Sequence, residues 1–331
     1  MKNTIFPFVS VVLPVYNCPE YIHDAIESIL QQTFVDFELI VIDDGSTDNT
    51  ADIIETFTDP RIRFYSQKNQ GLAATLNRGL ELSRGNYIAR QDQDDISLPE
   101  RFAKQVEYLE SHLECGLVGT WAEIWRGEHR TGRKHLHPSD NITLKCELLF
   151  DNPFVHSSVM LRKSVLEHVG GYCIDPDRQP PEDYELWSRI ARDYQIANIP
   201  ELLLVYREIQ NSMSRVGVTP FLNHLVTISS ENIAWASNIP ASVPSVVNIA
   251  AMVHNAGHRL IGEPDFPSMA TVLQRAVSRI SKNDSELVRK ARYRIEDLRN
   301  AYWRKKHPGI VPTFFYYVFK AINILLRIFR I

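Results

Sequence analysis

Val9-Ser10-Val11-Val12-Leu13-Pro14-Val15-Tyr16-Asn17 and, after a helical interval, Phe37-Glu38-Leu39-Ile40-Val41-Ile42-Asp43-Asp44-Gly45-Ser46 decide the fold. Each is an apolar, β-branched run that stops at polar or turn-forming residues, the pattern of a strand buried on both faces. Outward from these, 62–67 and 87–91 repeat the pattern, and 20–32, 47–57 and 72–83 carry helical spacing, with Asp48 and Thr50 suited to a helix start. Strand and helix alternate, so the sequence predicts an α/β domain with a mostly parallel central sheet covered on both faces. Ligands of such sheets bind beyond the carboxyl ends of the strands. The polar segments fall there: Pro14-Val15-Tyr16-Asn17, Asp43-Asp44-Gly45-Ser46 and Asp92-Gln93-Asp94-Asp95. Three strand ends thus aim side chains at one rim.

The 331 residues, 44% of them hydrophobic, suffice for one large domain and a smaller one. With 36 basic and 40 acidic residues and a formal charge of -4, the chain has no overall field to attract nucleic acid. Cys18, Cys115, Cys146 and Cys173 are widely spaced and form no CxxC pair, which reads as free thiols in a reducing compartment. Residues 1–8 hold a single Lys and no long apolar run, so they do not read as a secretory signal, and the catalytic part is expected in the cytoplasm.

From about 216 the pattern becomes helical, punctuated by Pro240, Pro244, Pro264 and Pro267. The expected organisation is a catalytic domain over 1–215, a helical region over 216–310 and a terminal helix over 311–331. That last segment sets Phe315, Val318, Ile322, Leu325 and Phe329 against Lys320, Asn323, Arg327 and Arg330. This is a basic amphipathic helix suited to a membrane surface, and its cations argue against a span. The alternative is docking on its own domain or on a second copy in a homodimer.

Asp92, Asp94 and Asp95 crowd three like charges into one turn, which calls for a cation or hydrogen-bond donors. Their hard oxygens suit Mg²⁺ or Mn²⁺ bound together with nucleotide phosphates. Glu182-Asp183 follows Pro180-Pro181 and opens the helical run of Tyr184, Leu186, Trp187 and Ile190. Such a pair serves the helix dipole or, functionally, supplies a general base. A diphosphate leaving group needs no protonating acid, so one carboxylate suffices, unlike glycoside hydrolysis with its flanking pair. No GxGxxG or GxxxxGK[ST] loop is present, and Asp43-Asp44 would repel a pyrophosphate but suits a base or ribose.

Together these segments resemble the family 2 glycosyltransferases, whose nucleotide-sugar-binding α/β fold is called GT-A. The likeness runs over 9–214, about two thirds of the chain, and continues through Asn69-Gln70-Gly71-Leu72-Ala73, Asn77, Gly79, Pro99, Arg101, His156-Ser157-Ser158-Val159-Met160, Gly170-Gly171-Tyr172 and Glu182-Asp183. Each piece is weak and the ordered set is specific. The resemblance implies an inverting transferase, hexosyl or N-acetylhexosaminyl, that moves a sugar from a nucleotide-diphosphate sugar, by family preference a UDP-sugar, to a hydroxyl of a glycan or lipid-linked glycan. Its implied nucleotide-binding set is Pro14, Val15, Tyr16, Asp43, Asp44, Gly71, Asp92 and Gln93. Asp94 and Asp92 match the family's DxD metal pair, with Asp92 nearer the ribose. Asp183 matches the general base, and Glu182 orients or contacts the acceptor.

One departure stands out in Tyr206-Arg207-Glu208-Ile209-Gln210-Asn211-Ser212-Met213-Ser214, where Ile209 occupies the place of a His in many relatives. Asp94, water and Gln210 are left for whatever that His does. His156 either lines the acceptor side or is a satisfied buried histidine. No QxxRW segment occurs, so one sugar is expected per encounter, in assembly of a bacterial surface polysaccharide at the inner face of the plasma membrane. The rival readings are a nucleotidyltransferase, which calls for a basic Gly-rich loop after the first strand, and a non-catalytic nucleotide-sugar scaffold.

Overall fold

Alternating apolar residues build the sheet from its first strand. β1 (Val9–Val15) sends Val9, Val11, Leu13 and Val15 to one face and Val12 to the other, because successive strand side chains point to opposite sides. The computed structural model describes residues 6–209 and 218–306. β2 (Phe37–Asp43) and β3 (Ile62–Ser66) follow in parallel, separated by α1 (Ile22–Leu30) and α2 (Thr50–Glu55), and α3 (Leu72–Leu82) leads to β4 (Tyr87–Arg90). All four strands expected from the sequence are present.

The rest of the sheet carries far weaker sequence signals. β5 (Ile96–Ser97), α4 (Arg101–Ser111), β6 (Cys115–Arg126), β7 (His129–His135), α5 (Asn141–Glu147), β8 (Met160–Arg162), α6 (Lys163–Val169), α7 (Glu182–Asp193) and β9 (Gln195–Glu208) complete the α/β unit. Strand order is β3-β2-β1-β4-β8-β6-β9-β5, with β7 on β6. The β3-β2-β1-β4 half and the long β6–β9 ladder are parallel, while the short β5, β7 and β8 pair antiparallel, so parallel pairing dominates by length.

Two apolar layers cover the sheet. Ile22, Ile26 and Ile29 of α1 and Phe102 and Leu109 of α4 pack on one face. Leu76 of α3 and Leu186, Trp187 and Ile190 of α7 pack on the other. Helix α3 sits so close to β1 that a Cβ on Gly79 would stand 2.3 Å from Val12 Cγ1, so only glycine fits there.

The chain divides into two compact units, Met1–Asn232 and Ile233–Ile331. The division falls inside α8 (Val218–Ser237), whose Ser229 and Asn232 donate to the carbonyls of Leu149 and Leu148 at 2.5 and 2.7 Å. The second unit contains α9 (Pro244–Val253), α10 (Phe266–Ile280) and α11 (Ser285–Lys306) around Val246, Ile249, Leu273 and Ile295. No strand occurs in it among the described residues, and no described helix is long and apolar enough to cross a membrane. The terminal segment 311–331 lies outside the described residues.

Candidate active site

Parallel registry brings the strand ends level. Val15 faces Asp43 across β1 and β2, and Val12 faces Arg90 across β1 and β4, so the segments beyond them share one rim. Pro14 and Val15 are buried within β1, whereas the Tyr16 side chain is 45% exposed. Asn17 turns at φ 47, a conformation asparagine tolerates. Its amide donates to Ser46 Oγ at 2.9 Å and its Oδ1 accepts from the Thr47 amide at 2.8 Å, lacing the first loop to the second.

Asp43 and Asp44 are both buried. Asp43 Oδ1 accepts from the Ser46 amide at 3.1 Å and Oδ2 from Ser66 Oγ at 3.4 Å. Asp44 accepts from Gln67 Nε2 at 2.6 Å and from the amides of Gln70 and Gly71 at 2.9 and 2.8 Å. A carboxylate offers about four acceptor sites, so Asp44 commits most of its capacity to holding the loop that ends at Gly71, the residue before α3.

The acidic turn splits into three environments. Gln93 laces it to β1, accepting from the Tyr16 amide at 2.7 Å and returning a bond to the Tyr16 carbonyl at 3.2 Å. Asp92 Oδ1 meets Arg90 Nη2 at 2.5 Å. Burial alone would raise the Asp92 pKa, but the Arg90 charge, His156 and the Arg90 hydrogen bond hold it below the ordinary value. Among the described residues Asp94 accepts from its own amide alone, and burial together with the charge on Asp92 pushes it up to about 7. Asp95 is 1% exposed and accepts from the Arg207 amide at 2.8 Å and from Ser157 Oγ. Burial and its two acidic neighbours raise its pKa well above the usual range.

Opposite this turn stands the start of α7. Asp183 Oδ1 accepts from the Tyr184 amide and Oδ2 from Asn152 Nδ2, both at 2.7 Å. Burial is the main cause that lifts its pKa to about 6, and burial plus the charge on Asp183 lifts Glu182 to about 7. Tyr184 and Trp187, wholly buried, fix the helix against the sheet.

A polar chain joins the two acidic groups. Arg90 Nε lies 3.3 Å from His156 Nε2, Tyr172 Oη lies 3.0 Å from the same nitrogen, and His156 Nδ1 lies 3.9 Å from Glu182 Oε1. Burial and the Arg90 charge push the His156 pKa down to about 3, so the ring is neutral. His156 is therefore a hydrogen-bonded interior residue that bridges the two motifs. The sequence motifs did not single out Arg90 or Asn152. Arg90 had one legible signal, a charge closing the apolar strand Tyr87-Ile88-Ala89-Arg90, where an unpaired charge is rarely buried. Ile209 is the last residue described on that side, and Gln210 lies outside the described residues.

Residues 10–170 match the model of glycosyl transferase family 2. An amylovoran biosynthesis glycosyltransferase of Erwinia amylovora, AmsE, is 36% identical over 60% of this chain and 75% of its own length. The O-antigen biosynthesis glycosyltransferase WbnJ of Escherichia coli is 34% identical over 62% of this chain and 82% of its own. The chain belongs to glycosyl transferase family 2. Residues 1–349 of S. aureus TarS, solved with UDP-GlcNAc, share the fold at a TM-score of 0.61 and 17% identity, covering 91% of this chain and 92% of that one. The protein is thus a glycosyltransferase with a GT-A-type fold, which sets aside the nucleotidyltransferase reading.

Asp94 and Asp95 should separate in stability measurements. Asp95→Ala strips a buried acceptor from the Arg207 amide and should cost about 1–3 kcal/mol, the scale of leaving a buried donor unpaired. Asp94→Asn removes like-charge repulsion at an unpartnered carboxylate and should leave the melting temperature unchanged or raised. Equal destabilisation by both substitutions would show Asp94 to be structural.

Proposed function

We propose that this glycosyltransferase moves a sugar, with inversion, from a nucleotide-diphosphate sugar, UDP-linked by preference, to a hydroxyl of a glycan or lipid-linked glycan. The observation that carries this reading is the Arg90–His156 chain, which sets the Asp92–Asp94 turn and the Glu182–Asp183 pair on two sides of one centre.

On the donor side, the rim formed by Tyr16, Asp43, Asp44, Gly71 and Gln93, backed by Pro14 and Val15, receives the base and ribose, with Asp92 nearest the ribose. The donor chemistry of the turn fits a divalent cation. Asp94 offers hard oxygens that accept from no other residue among those described, and Asp92 keeps one oxygen clear of Arg90. Among the described residues no group of three or more His, Cys, Asp and Glu side chains is arranged to hold a metal. Asp94 and Asp92 would therefore hold Mg²⁺ or Mn²⁺ jointly with the donor's diphosphate, in keeping with ions bound through one or two carboxylates. When bound, the ion neutralises negative charge that grows on the leaving diphosphate.

On the acceptor side, Asp183 is the general base. Both its oxygens accept one hydrogen bond, which fixes the carboxylate plane and leaves lone pairs free for an acceptor hydroxyl. As the acceptor oxygen bonds to the anomeric carbon from the face opposite the diphosphate, its proton passes to Asp183 and the nucleoside diphosphate departs. Glu182, nearer His156, orients the acceptor. The catalytic domain is assigned to 1–215 and the helical region to 216–310. The segment 311–331 is assigned to the membrane surface, which places lipid-linked acceptors within reach at the inner face of the plasma membrane; its other possible partner is a second copy of the chain.

Four outcomes test this reading. Thermal shifts with UDP, dTDP or GDP sugars should be larger with Mn²⁺ than with EDTA, because ligands of the folded state raise its stability; identical shifts would remove the metal. Asp183→Asn should keep donor binding and lower kcat by about a hundredfold or more, the scale of general-base catalysis. In the native enzyme, a base whose pKa is raised to about 6 must be ionised to act, so kcat/KM should fall as pH drops through that value, and a flat profile down to pH 5 would count against Asp183. Deleting 311–331 should shift the protein out of the membrane fraction, and unchanged fractionation would sink that assignment.

A further inference from the structure

Arg90 closes β4 with its guanidinium 2% exposed. Its Nη2 meets Asp92 Oδ1 at 2.5 Å, its Nη1 donates to the Gln91 carbonyl, and its Nε points at His156 Nε2 from 3.3 Å. Arginine donates and never accepts. The imidazole nitrogen it faces is therefore taken as the unprotonated one, its single lone pair shared between the Arg90 Nε–H and the hydroxyl of Tyr172, whose Oη lies 3.0 Å away. The single proton of a neutral ring then sits on Nδ1, the atom 3.9 Å from Glu182 Oε1. This tautomer is assigned from donor chemistry. The opposite tautomer could donate from Nε2 to Tyr172 Oη, but it would also set that N–H against a guanidinium and a lone pair against Glu182. Packing also limits the ring to this pose, with Trp187 edge-on at 5.9 Å and Tyr172 tilted at 5.7 Å between centroids.

We propose that Arg90 is a positioning residue that couples the two halves of the site: one guanidinium holds Asp92 and selects the His156 tautomer whose Nδ1–H faces Glu182. The proposal rests on the reading in which Asp92 faces the donor and Glu182–Asp183 the acceptor. The 3.9 Å gap exceeds a hydrogen bond by about 1 Å, and catalytic hydrogen bonds often tighten only when substrate binds. Closing that gap moves Glu182 toward the neutral ring without introducing a new charge. Donor occupancy reaches Glu182 through the same contacts, because any shift of Asp92 pulls on Arg90 and hence on the ring.

The amide of asparagine places an N–H where Nδ1–H stood, whereas that of glutamine reaches the Nε2 position. His156→Asn should therefore retain kcat within about tenfold, while His156→Gln and His156→Phe lose about a hundredfold, the range typical of removing an orienting partner. Donor KM should change little in all three. Arg90→Met should raise donor KM and lower kcat together, Arg90→Lys should recover part of both, and Arg90→Met combined with Glu182→Gln should cost less than the sum of the two, as expected of residues in one network. Equal kcat losses in His156→Asn and His156→Gln, with native-like melting temperatures, would overturn the coupling. Should the variants fold poorly, the ring ¹⁵N shifts of His156 in the native enzyme decide the matter: an Nδ1-protonated ring supports the proposal and an Nε2-protonated ring refutes it. A native enzyme that consumes no nucleotide-sugar would instead count against the donor assignment, and the ring shifts would still report the tautomer.

Discussion

Three carboxylates within four residues at a buried strand end cannot stand without compensation, and much of the architecture around this site answers that constraint. The chain meets it with three arginines that are among its largest fully buried side chains, each from a different element. Arg90 of β4 pairs with Asp92. Arg101, at the start of α4, donates to the Gln91 side chain, Ser97 and the carbonyls of Arg90 and Val159, so the strand end, the following turn and the next helix are tied to one cation. Arg207 of β9 donates its amide to Asp95 and its guanidinium to Asp24, with the ring of Tyr21 beneath at 4.8 Å. Without Asp95 the end of β9 would lose its anchor to the acidic turn. A buried charge deprived of its partner costs far more than an exposed one, which is why the turn organises its surroundings rather than merely decorating them.

This arrangement divides labour among residues that look alike in the sequence. Asp95 serves the scaffold, Asp92 is held by the Arg90 cation, and among the described residues Asp94 accepts from none but itself. The same division holds at the second strand end. Asp44 binds the loop reaching Gly71 through three hydrogen bonds, and Asp43 closes its own turn. Acidic residues at the rim thus shape the cleft before any of them meets a ligand.

The sequence made the first half of the sheet legible because β1, β2 and β4 are buried on both faces and read as mostly apolar runs. β7, with the sequence HRTGRKH, is mostly exposed and has no apolar alternation to find, and β9 hides its pattern behind Pro200 and the register shifts opposite Trp121. The acidic positions of the site were equally legible, since strand ends and helix starts collect polar residues for physical reasons. Their connections were not. The contacts of Arg90 with His156 and of Asn152 with Asp183 are pairings across 66 and 31 residues of chain, which no local spacing encodes.

The electrostatic balance of the centre bears on how a donor enters it. Asp94, Glu182 and Asp183 all hold their protons more tightly than usual, burial being the first cause in each, with Asp92 adding repulsion. Buried carboxylates that do ionise there would repel a bare diphosphate. Under the proposed reading, a divalent cation and the donor must therefore arrive as one electrostatic event, each lowering the cost of the other. Ile209 sharpens this dependence. Ile209, the last residue described on that side, carries no hydrogen-bond donor on its side chain, so under the same reading the phosphates would depend on the cation that Asp94 would hold.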